Sequence, residues 1–302
     1  MKKMILLLVA AAGAVLQTAA QTIVVDKRGS VAGESETVRE KFDDAWLEVR
    51  YDYRAVSDTL SMGSDSTRMT FGVDRNEDAM NLLVGRHSSY FYSYTQHLYD
   101  STFNANRMKM FNADGSISVQ NFGKKGQNWK LYKNYPEGKL TFTDKIVGTF
   151  YLTEEEFAPQ EWEILDGTDT VVGYPCQQAR CSFRGRDWVA WFTPEIPVSE
   201  GPWKFNGLPG MIMKVSDTAG HYLFEAVGVR RVETPMSFPR EQYMKVPRKR
   251  YWQTYRNYCV DPIGFLNANS GGRITIKSNS ASDELFKPKE LKYDFLERDY
   301  KK

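Results

Sequence analysis

The side chains that most often perform chemistry are scattered along this sequence. His87, His97 and His221 are isolated from one another, and no H-x-H, H-E-x-x-H or Cys/His pair has the spacing of metal ligands. The serine-hydrolase strings G-x-S-x-G and S-x-x-K do not occur. The sequence therefore predicts no metal site, no cofactor and no catalytic residue.

Two carboxylates, Glu195 and Asp217, bracket a stretch rich in proline and glycine. A glycosidase pair would need the two carboxyl groups about 5–9 Å apart, and the sequence does not fix that distance. In the plainer interpretation, Glu195 forms an ion pair with Arg184 or Arg186, or accepts hydrogen bonds from the backbone. The plainer interpretation is favoured.

The three cysteines are Cys176, Cys181 and Cys259. The first twenty residues, described below, predict export to oxidising conditions, so one disulfide is expected with one thiol left over. Five residues along an extended strand span about 16 Å, whereas disulfide-bonded Cα atoms lie within about 7 Å. Cys176 and Cys181 are therefore a poor pair, and Cys259 is expected as one partner. A cysteine nucleophile with a distant histidine is the less favoured alternative.

Aromatic and apolar side chains cluster around the same proline-rich stretch, and two interpretations of them remain open. In one, the stretch is architectural: Leu208-Pro209-Gly210 forms a type II turn with Gly210 at positive φ, and Gly207 permits a close backbone approach. In the other, it forms the lip of a ligand or partner site. The candidate binding residues are Trp188, Trp191, Glu195, Trp203, Lys204, Phe205, Leu208 and Pro209.

The string Gly207-Leu208-Pro209-Gly210-Met211-Ile212 resembles the signature of the GLPGLI family, with Met211 in place of the usual leucine. Gly173-Tyr174, the residues 183–186 and the residues 191–193 also resemble that family's pattern. The resemblance implies an exported protein of Gram-negative bacteria. It implies no catalytic residues, because the family has no established activity.

A local excess of positive charge lies at residues 240–256, where six basic residues accompany one acid, Glu241. Tyr243, Tyr251, Trp252 and Tyr255 are interleaved with them. One interpretation is a site for lipid phosphates or lipopolysaccharide. The favoured one is a solvated basic face above an aromatic face that packs on a sheet.

The elements that must position these residues are mostly strands. Alternation of apolar and polar residues begins at Trp46 and continues to Ala55. Four further strands form a meander over about 172–230, with hairpin turns at Gly185 and at 217–220. Other strands are expected at 22–25, 69–73, 117–119, 129–132, 139–142, 149–152 and 291–295. Helices are expected near 94–99, at 153–156 from a capping box, and over 237–258 with a break at Pro247, and a loop over 267–282.

The first twenty residues have the three-part pattern of a secretory signal peptide. Lys2 and Lys3 precede an apolar run, and Thr18-Ala19-Ala20 supplies small residues for cleavage. Without the two lysines the formal charge falls from +2 to zero, so no overall field attracts nucleic acid. No later segment is long and apolar enough for a transmembrane helix.

We therefore expect a signal peptide at 1–20, a short strand and polar tether at 21–43, and one domain at 44–300. The expected fold is mainly β, a β-rich α+β type: a curved antiparallel meander or open half-barrel with one or two packed helices. The expected function is that of an exported, non-catalytic protein of the envelope, either periplasmic, attached to the outer membrane or secreted. Its partner would be a lipid or other apolar ligand, or an envelope protein. The alternatives are a hydrolase with an unrecognised site and a structural or assembly factor.

Overall fold

A computed structural model describes residues 22–25, 38–55, 77–106, 123–269, 274–277, 288, 291 and 295–301. The expected signal peptide, most of the polar tether, and the expected strands at 69–73 and 117–119 lie outside the described residues. Within the described residues, no helix combines the length and apolar character that a bilayer span requires.

The described strands, named in chain order, confirm the mainly-β fold. They are β1 (Thr22–Val25), β2 (Arg39–Ala55), β3 (Glu77–Val84), β4 (Ser89–Ser93), β5 (Lys130–Lys133), β6 (Lys139–Ile146), β7 (Thr149–Glu156), β8 (Glu163–Val171), β9 (Tyr174–Phe183), β10 (Arg186–Thr193), β11 (Met211–Asp217), β12 (Tyr222–Pro239), β13 (Tyr243–Lys245) and β14 (Ile274–Lys277). Three α-helices accompany them: α1 (Tyr94–Asn106), α2 (Arg248–Val260) and α3 (Pro262–Asn269). A short 3-10 helix spans Asp299–Lys301.

Twelve of these strands form one open sheet in the order β13-β7-β6-β5-β4-β3-β2-β12-β11-β10-β9-β8. Neighbouring strands are antiparallel, except that β13 runs parallel to β7, so the sheet is mixed. β1 pairs with β14 in a separate two-stranded sheet. The meander expected from the sequence is confirmed as β9 to β12, because each of these strands pairs antiparallel with the next.

The main core lies on one face of the large sheet. Alternate side chains along parts of β2, β10, β11 and β12 point into it, as with Trp188, Ala190 and Phe192. Helix α2 packs on this face through Tyr251, whose ring lies 4.9 Å from that of Phe142. The expected packed helix is thereby confirmed.

Several local predictions were wrong. Residues 153–156 belong to strand β7 rather than to a capped helix, because they pair with β6 along its whole length. Residues 237–239 and 243–245 are strand, so the helix predicted over 237–258 begins only at Arg248. β2 begins at Arg39, seven residues before the first alternating position, and β14 lies within the predicted loop 267–282. Leu291 and Phe295 lie outside strands.

The expected disulfide is absent. The three cysteines are buried thiols. Burial, followed by the charge of Asp187, raises the pKa of Cys181 to about 12. Such a thiol is almost entirely protonated at neutral pH and is a poor nucleophile.

Candidate functional site

The signature loop, residues 194–210, joins β10 to β11 and is buried over much of its length. Trp203 and Phe205 are 1% and 0% exposed, and their rings lie 5.2 Å apart. Phe205 also meets the ring of Trp188 edge-on at 4.9 Å. Three of the candidate binding residues are thus brought together, but inside the core rather than at a mouth.

Lys133, which the sequence analysis did not single out, supports the loop from the sheet below. Its side chain is fully buried, and its Nζ donates to Glu200 Oε2 at 2.8 Å, to the carbonyl oxygen of Gly201 at 2.6 Å and to that of Phe205 at 2.9 Å. Burial lowers the pKa of Lys133, and the charge of Glu200 opposes that effect. The sequence contained one indication that Lys133 is buried. It lies two residues after the apolar Leu131 in the same strand, so both side chains point to the same face of the sheet.

Several other polar groups in and beside the loop also have partners. The Tyr51 hydroxyl donates to the carbonyl oxygen of Ile212 at 2.8 Å. Trp162 Nε1 donates to the Asn206 carbonyl at 2.8 Å, and the Asn206 amide donates to Gln160 Oε1 at 2.8 Å. Because buried backbone groups need such partners, these bonds allow a loop to lie in the core.

Of the two signature glycines, Gly207 has the expected role and Gly210 does not. A Cβ on Gly207 would lie 3.2 Å from Pro159 Cα, so Gly207 does permit a close approach to the neighbouring backbone. Gly207 has φ of +97°, whereas Gly210 does not lie in the left-handed region, so the predicted type II turn with Gly210 at positive φ is wrong. A Cβ on Gly210 would lie 2.2 Å from the carbonyl oxygen of Thr193. Gly210 is therefore a second position of close backbone approach, because no side chain fits between the two chain segments.

This contact leads to a prediction for Gly210→Ala. The added methyl group meets backbone atoms that cannot rotate away, so we expect a loss of about 1–3 kcal/mol in the free energy of unfolding. Gly228→Ala in β12 is the matched control, because its Cβ would have no neighbour within 4 Å. Urea unfolding of both variants checks this, and equal stabilities for the two would contradict the packing described.

Beside the loop lies a charge cluster of three cations and three carboxylates. Lys204 Nζ lies 2.6 Å from Glu297 Oε1, and Arg248 Nη1 lies 2.5 Å from Glu297 Oε2. Lys204 and Arg184 both pair with Glu155. The members of the cluster are Glu155, Arg184, Lys204, Arg248, Glu297 and Asp299. They come from β7, the β9–β10 turn, the signature loop, α2 and the chain's last described segment.

Three residues in or next to the charge cluster have positive φ. Arg184 and Gly185 both have positive φ, at 54° and 77°, as in the tight hairpin turns that match strand twist. Trp203, next to Lys204, has φ of 50°. Left-handed conformations cost a non-glycine residue free energy and persist only where surrounding contacts fix them. Here the ion pairs of Arg184 and Lys204 and the ring contacts of Trp203 fix these conformations.

Glu297 makes the stability dependent on pH. Burial alone would raise its pKa, but the charges of Lys204 and Arg248 outweigh burial and hold the pKa of Glu297 below its usual value. A carboxyl group with a lowered folded-state pKa stabilises the fold at pH values above its unfolded-state pKa. That stabilisation is lost as the pH falls through the folded-state pKa.

We therefore expect Glu297→Gln to lower the free energy of unfolding most at neutral pH, with a difference from the wild type that shrinks steadily below about pH 4. Urea unfolding at a series of pH values measures this difference. The control is Glu163→Gln, whose ion pair with Arg180 is 60% exposed on both sides and should show little change. A difference for Glu297→Gln that is independent of pH would contradict the assignment.

A cleft of about 270 Å³ opens next to the charge cluster. Its walls come from the β7–β8 connection, the end of β9 and the signature loop. The lining mixes apolar, polar and charged side chains: Leu140, Glu156, Phe157, Ala158, Pro159, Gln160, Glu161, Ser182, Phe183, Arg184, Lys204 and Asn206. Of the candidate binding residues, Lys204 lies in this lining.

The remaining candidate residues lie apart from the cleft lining. Leu208 is buried, whereas Glu195 and Pro209 are exposed. Trp191 is half-buried on the other face of β10, with Lys214 Nζ 5.2 Å from the centre of its ring.

The predicted pairing of Glu195 with Arg184 or Arg186 was wrong. Arg184 pairs with Glu155, and Arg186 Nη1 donates to Asp217 Oδ2 at 2.7 Å. Asp217 Oδ1 also accepts the backbone amides of His221 and Tyr222. Asp217 is thus a buried structural carboxylate at the β11–β12 hairpin. The described residues include no group of three or more histidine, cysteine, aspartate or glutamate side chains arranged to bind a metal.

The basic stretch has the predicted two-faced form. Tyr251 and Trp252 on α2 are buried against the core, whereas Lys249, Arg250 and Arg256 are exposed. Part of the positive charge is used within the fold, because Lys245 Nζ lies 2.5 Å from Glu154 Oε2 and Arg248 joins the charge cluster.

Comparison with known proteins places the signature region in context. Residues 183–214 match the family model described as "Protein of unknown function (Porph_ging)". This is the GLPGLI-type family. The match covers a short part of the chain, from the β9–β10 turn through the signature loop into β11, and it includes Arg184 and Lys204. No curated protein matches the sequence.

Two solved structures resemble the fold distantly. They are titled "Structure of PNGF-II in P21 space group" and "Structure of PNGF-II in C2 space group", each with 13% sequence identity. The TM-scores are 0.44 and 0.43, over 69% and 71% of this chain. The chain spans about a third of the length of these structures, 33% and 32%, and at these scores the likeness carries no functional conclusion.

Proposed function

We propose that this chain is an exported, non-catalytic binding protein of the cell envelope, and that it binds a protein partner at the cleft beside the signature loop. The signal-peptide pattern of the first twenty residues supports export. The observation that carries the binding role is the cleft itself, whose walls are fixed by buried ion pairs.

The rigidity of the walls favours recognition. Lys133 supports the signature loop from below, and Lys204 ties its middle to Glu155 on β7. A surface whose side chains are already fixed loses little conformational entropy when a partner binds, which increases affinity.

The size and lining of the cleft favour a protein side chain over a lipid chain. Ligand pockets for drug-sized molecules usually enclose about 300–1,000 Å³ and are mainly apolar. This cleft is smaller and mixed, with Phe157 and Phe183 beside Glu156, Glu161 and Arg184. Such a lining suits an amphipathic side chain, with an apolar part against the rings and a polar end at the charged rim.

The ionic groups at the cleft also favour a binding role over a catalytic role. Each cation in its lining has carboxylate partners, Lys204 with two and Arg184 with three within 4 Å. These pairs stabilise the walls. Lys204 and Arg184 would therefore have to leave these ion pairs before either could exchange a proton with a substrate.

Native mass spectrometry of the protein purified from its own envelope fraction tests the proposal. We expect a complex with one protein partner that is lost in Ser182→Trp, because an indole on this exposed residue fills the cleft. The matched control is Thr168→Trp on the exposed side of β8, away from the cleft lining, which should retain the complex. A wild-type protein that emerges alone, or a Ser182→Trp variant that keeps its partner, would refute the proposal. A retained small apolar molecule would refute the choice of a protein partner.

A further inference from the structure

The last described segment of the chain, residues 295–301, packs on the core face of the sheet and is called here the tail. The residues that it contacts, Arg184, Arg186, Lys204, Arg248 and Trp252, are called the groove. Phe295, Leu296, Glu297 and Tyr300 are all buried, although the tail pairs with no strand. The Phe295 ring lies 5.6 Å from that of Trp252 on α2, and the Tyr300 ring lies 6.1 Å from it.

The groove recognises the main chain of the tail through Arg186. Its Nη2 donates to the carbonyl oxygen of Phe295 at 2.7 Å and its Nε to that of Leu296 at 3.1 Å. Asp217, at 2.7 Å, orients the same guanidinium from the opposite side. The Arg298 amide donates to the carbonyl oxygen of Arg184 at 2.9 Å. All three contacts to the tail involve its backbone atoms, so they do not depend on the identity of its side chains.

The carboxylates of the tail balance an excess of positive charge in the groove. Without the tail, Arg184, Arg186, Lys204 and Arg248 face the carboxylates Glu155 and Asp217. The tail supplies two further carboxylates, Glu297 and Asp299, which bind three of these cations. The groove is therefore complementary to two acidic residues two positions apart, Glu297 and Asp299, the second of which begins the short 3-10 helix.

The geometry points to a peptide-recognition site: we propose that the tail is the resting occupant of this groove and that the protein partner displaces it with a segment of the same chemistry. That segment has two apolar residues, acidic residues at its third and fifth positions, and an aromatic residue at the sixth. This inference rests on the proposed function and names the chemistry of the partner, since Arg184 and Lys204 line both the groove and the cleft.

The test uses the full chain and a fluorescent peptide with the sequence of residues 295–301, Phe-Leu-Glu-Arg-Asp-Tyr-Lys. In the wild type the attached tail competes at a high effective concentration, so the free peptide binds weakly. Glu297→Lys places a cation against Lys204 and Arg248 and expels the tail. Fluorescence anisotropy should then show binding at least about tenfold tighter than to the wild type. Lys301→Glu, at an exposed tail position, should behave as the wild type does.

A scrambled peptide and a second groove-opening variant complete the test. A scrambled peptide of the same composition should not bind, and Leu296→Asp should open the groove as Glu297→Lys does. Folded variants that fail to bind the peptide overturn the inference. Loss of the folded sheet in both variants, seen by circular dichroism, also overturns it, because the tail would then be an integral part of the core. Peptide binding without a partner from the envelope would retain the groove and refute only the proposed function.

Discussion

Replacing Lys133 with methionine is expected to remove about 3–5 kcal/mol from the free energy of unfolding. The methionine fills a similar volume, so the loss comes from the missing ammonium group. Without it, the Glu200 carboxylate, which is 13% exposed, and the buried carbonyl oxygens of Gly201 and Phe205 lose their shared donor. Urea unfolding at neutral pH, followed by tryptophan fluorescence, measures the change.

The control for Lys133→Met is Lys41→Met. Lys41 also has a carboxylate partner, Asp44, at 2.7 Å, but both side chains are more than half exposed. Such a surface pair contributes at most about 1 kcal/mol, so this variant should unfold almost as the wild type does. If both lysine variants lost equally little stability, Lys133 would not be the support of the signature loop.

Phe205→Ala is expected to cost about 3–5 kcal/mol, the range for truncating a buried aromatic side chain. The Phe205 ring contacts those of Trp162, Phe183, Trp188 and Trp203, so its removal leaves a cavity shared by the loop and the sheet. Because residues 203–206 carry both the ring cluster and Lys204, we also expect the complex at the cleft to weaken. Thermal unfolding, together with the native mass spectrum, measures both effects.

Ile164→Ala serves as the control for Phe205→Ala, because Ile164 is apolar but 48% exposed on the edge strand β8. Its loss should remain within about 0.5 kcal/mol, as for most surface substitutions. A Phe205→Ala variant as stable as this control would show that the loop does not pack as described. The alternative interpretation, in which the proline-rich stretch forms the lip of a ligand or partner site, would then be favoured.

The sequence predicted β2, β5 to β7 and β9 to β12 correctly, and the signal was clearest in the strands with one solvent-exposed face. Alternation in β2 and in β9 to β12 reveals the buried side directly, because neighbouring side chains point to opposite faces of a sheet. The capping-box pattern at 153–156 misled because local propensity is weaker than tertiary pairing, and β6 pairs with these residues. β8 was missed because its residues are mostly polar or partly exposed.

The candidate site was predictable only in part. The signature itself drew attention to Lys204, Trp203 and Phe205, but an aromatic residue near a proline-rich turn has the same sequence signal whether it faces a ligand or the core. The partners of Lys204, Glu155 and Glu297, lie far from it in the chain. Ion pairs between such distant positions depend on the whole topology, so no local pattern indicates them.

The same limitation applies to the glycines of the signature. The sequence indicated that Gly207 and Gly210 were needed, since proline and glycine mark turns. It did not indicate which one has positive φ and which one touches Thr193, because the second property depends on how the chain returns past β10.

Hydrogen–deuterium exchange of the signature loop tests most directly whether this loop is a fixed wall of the binding site. The amides of Phe205, Asn206, Met211 and Ile212 all donate to acceptors within the fold. We expect them to exchange within about tenfold of the rates for strands β10 and β11, because all four residues are buried as deeply as those strands. Exchange of Phe205 and Asn206 at the rate of solvent-exposed amides would show that the loop moves independently and would contradict the proposed wall.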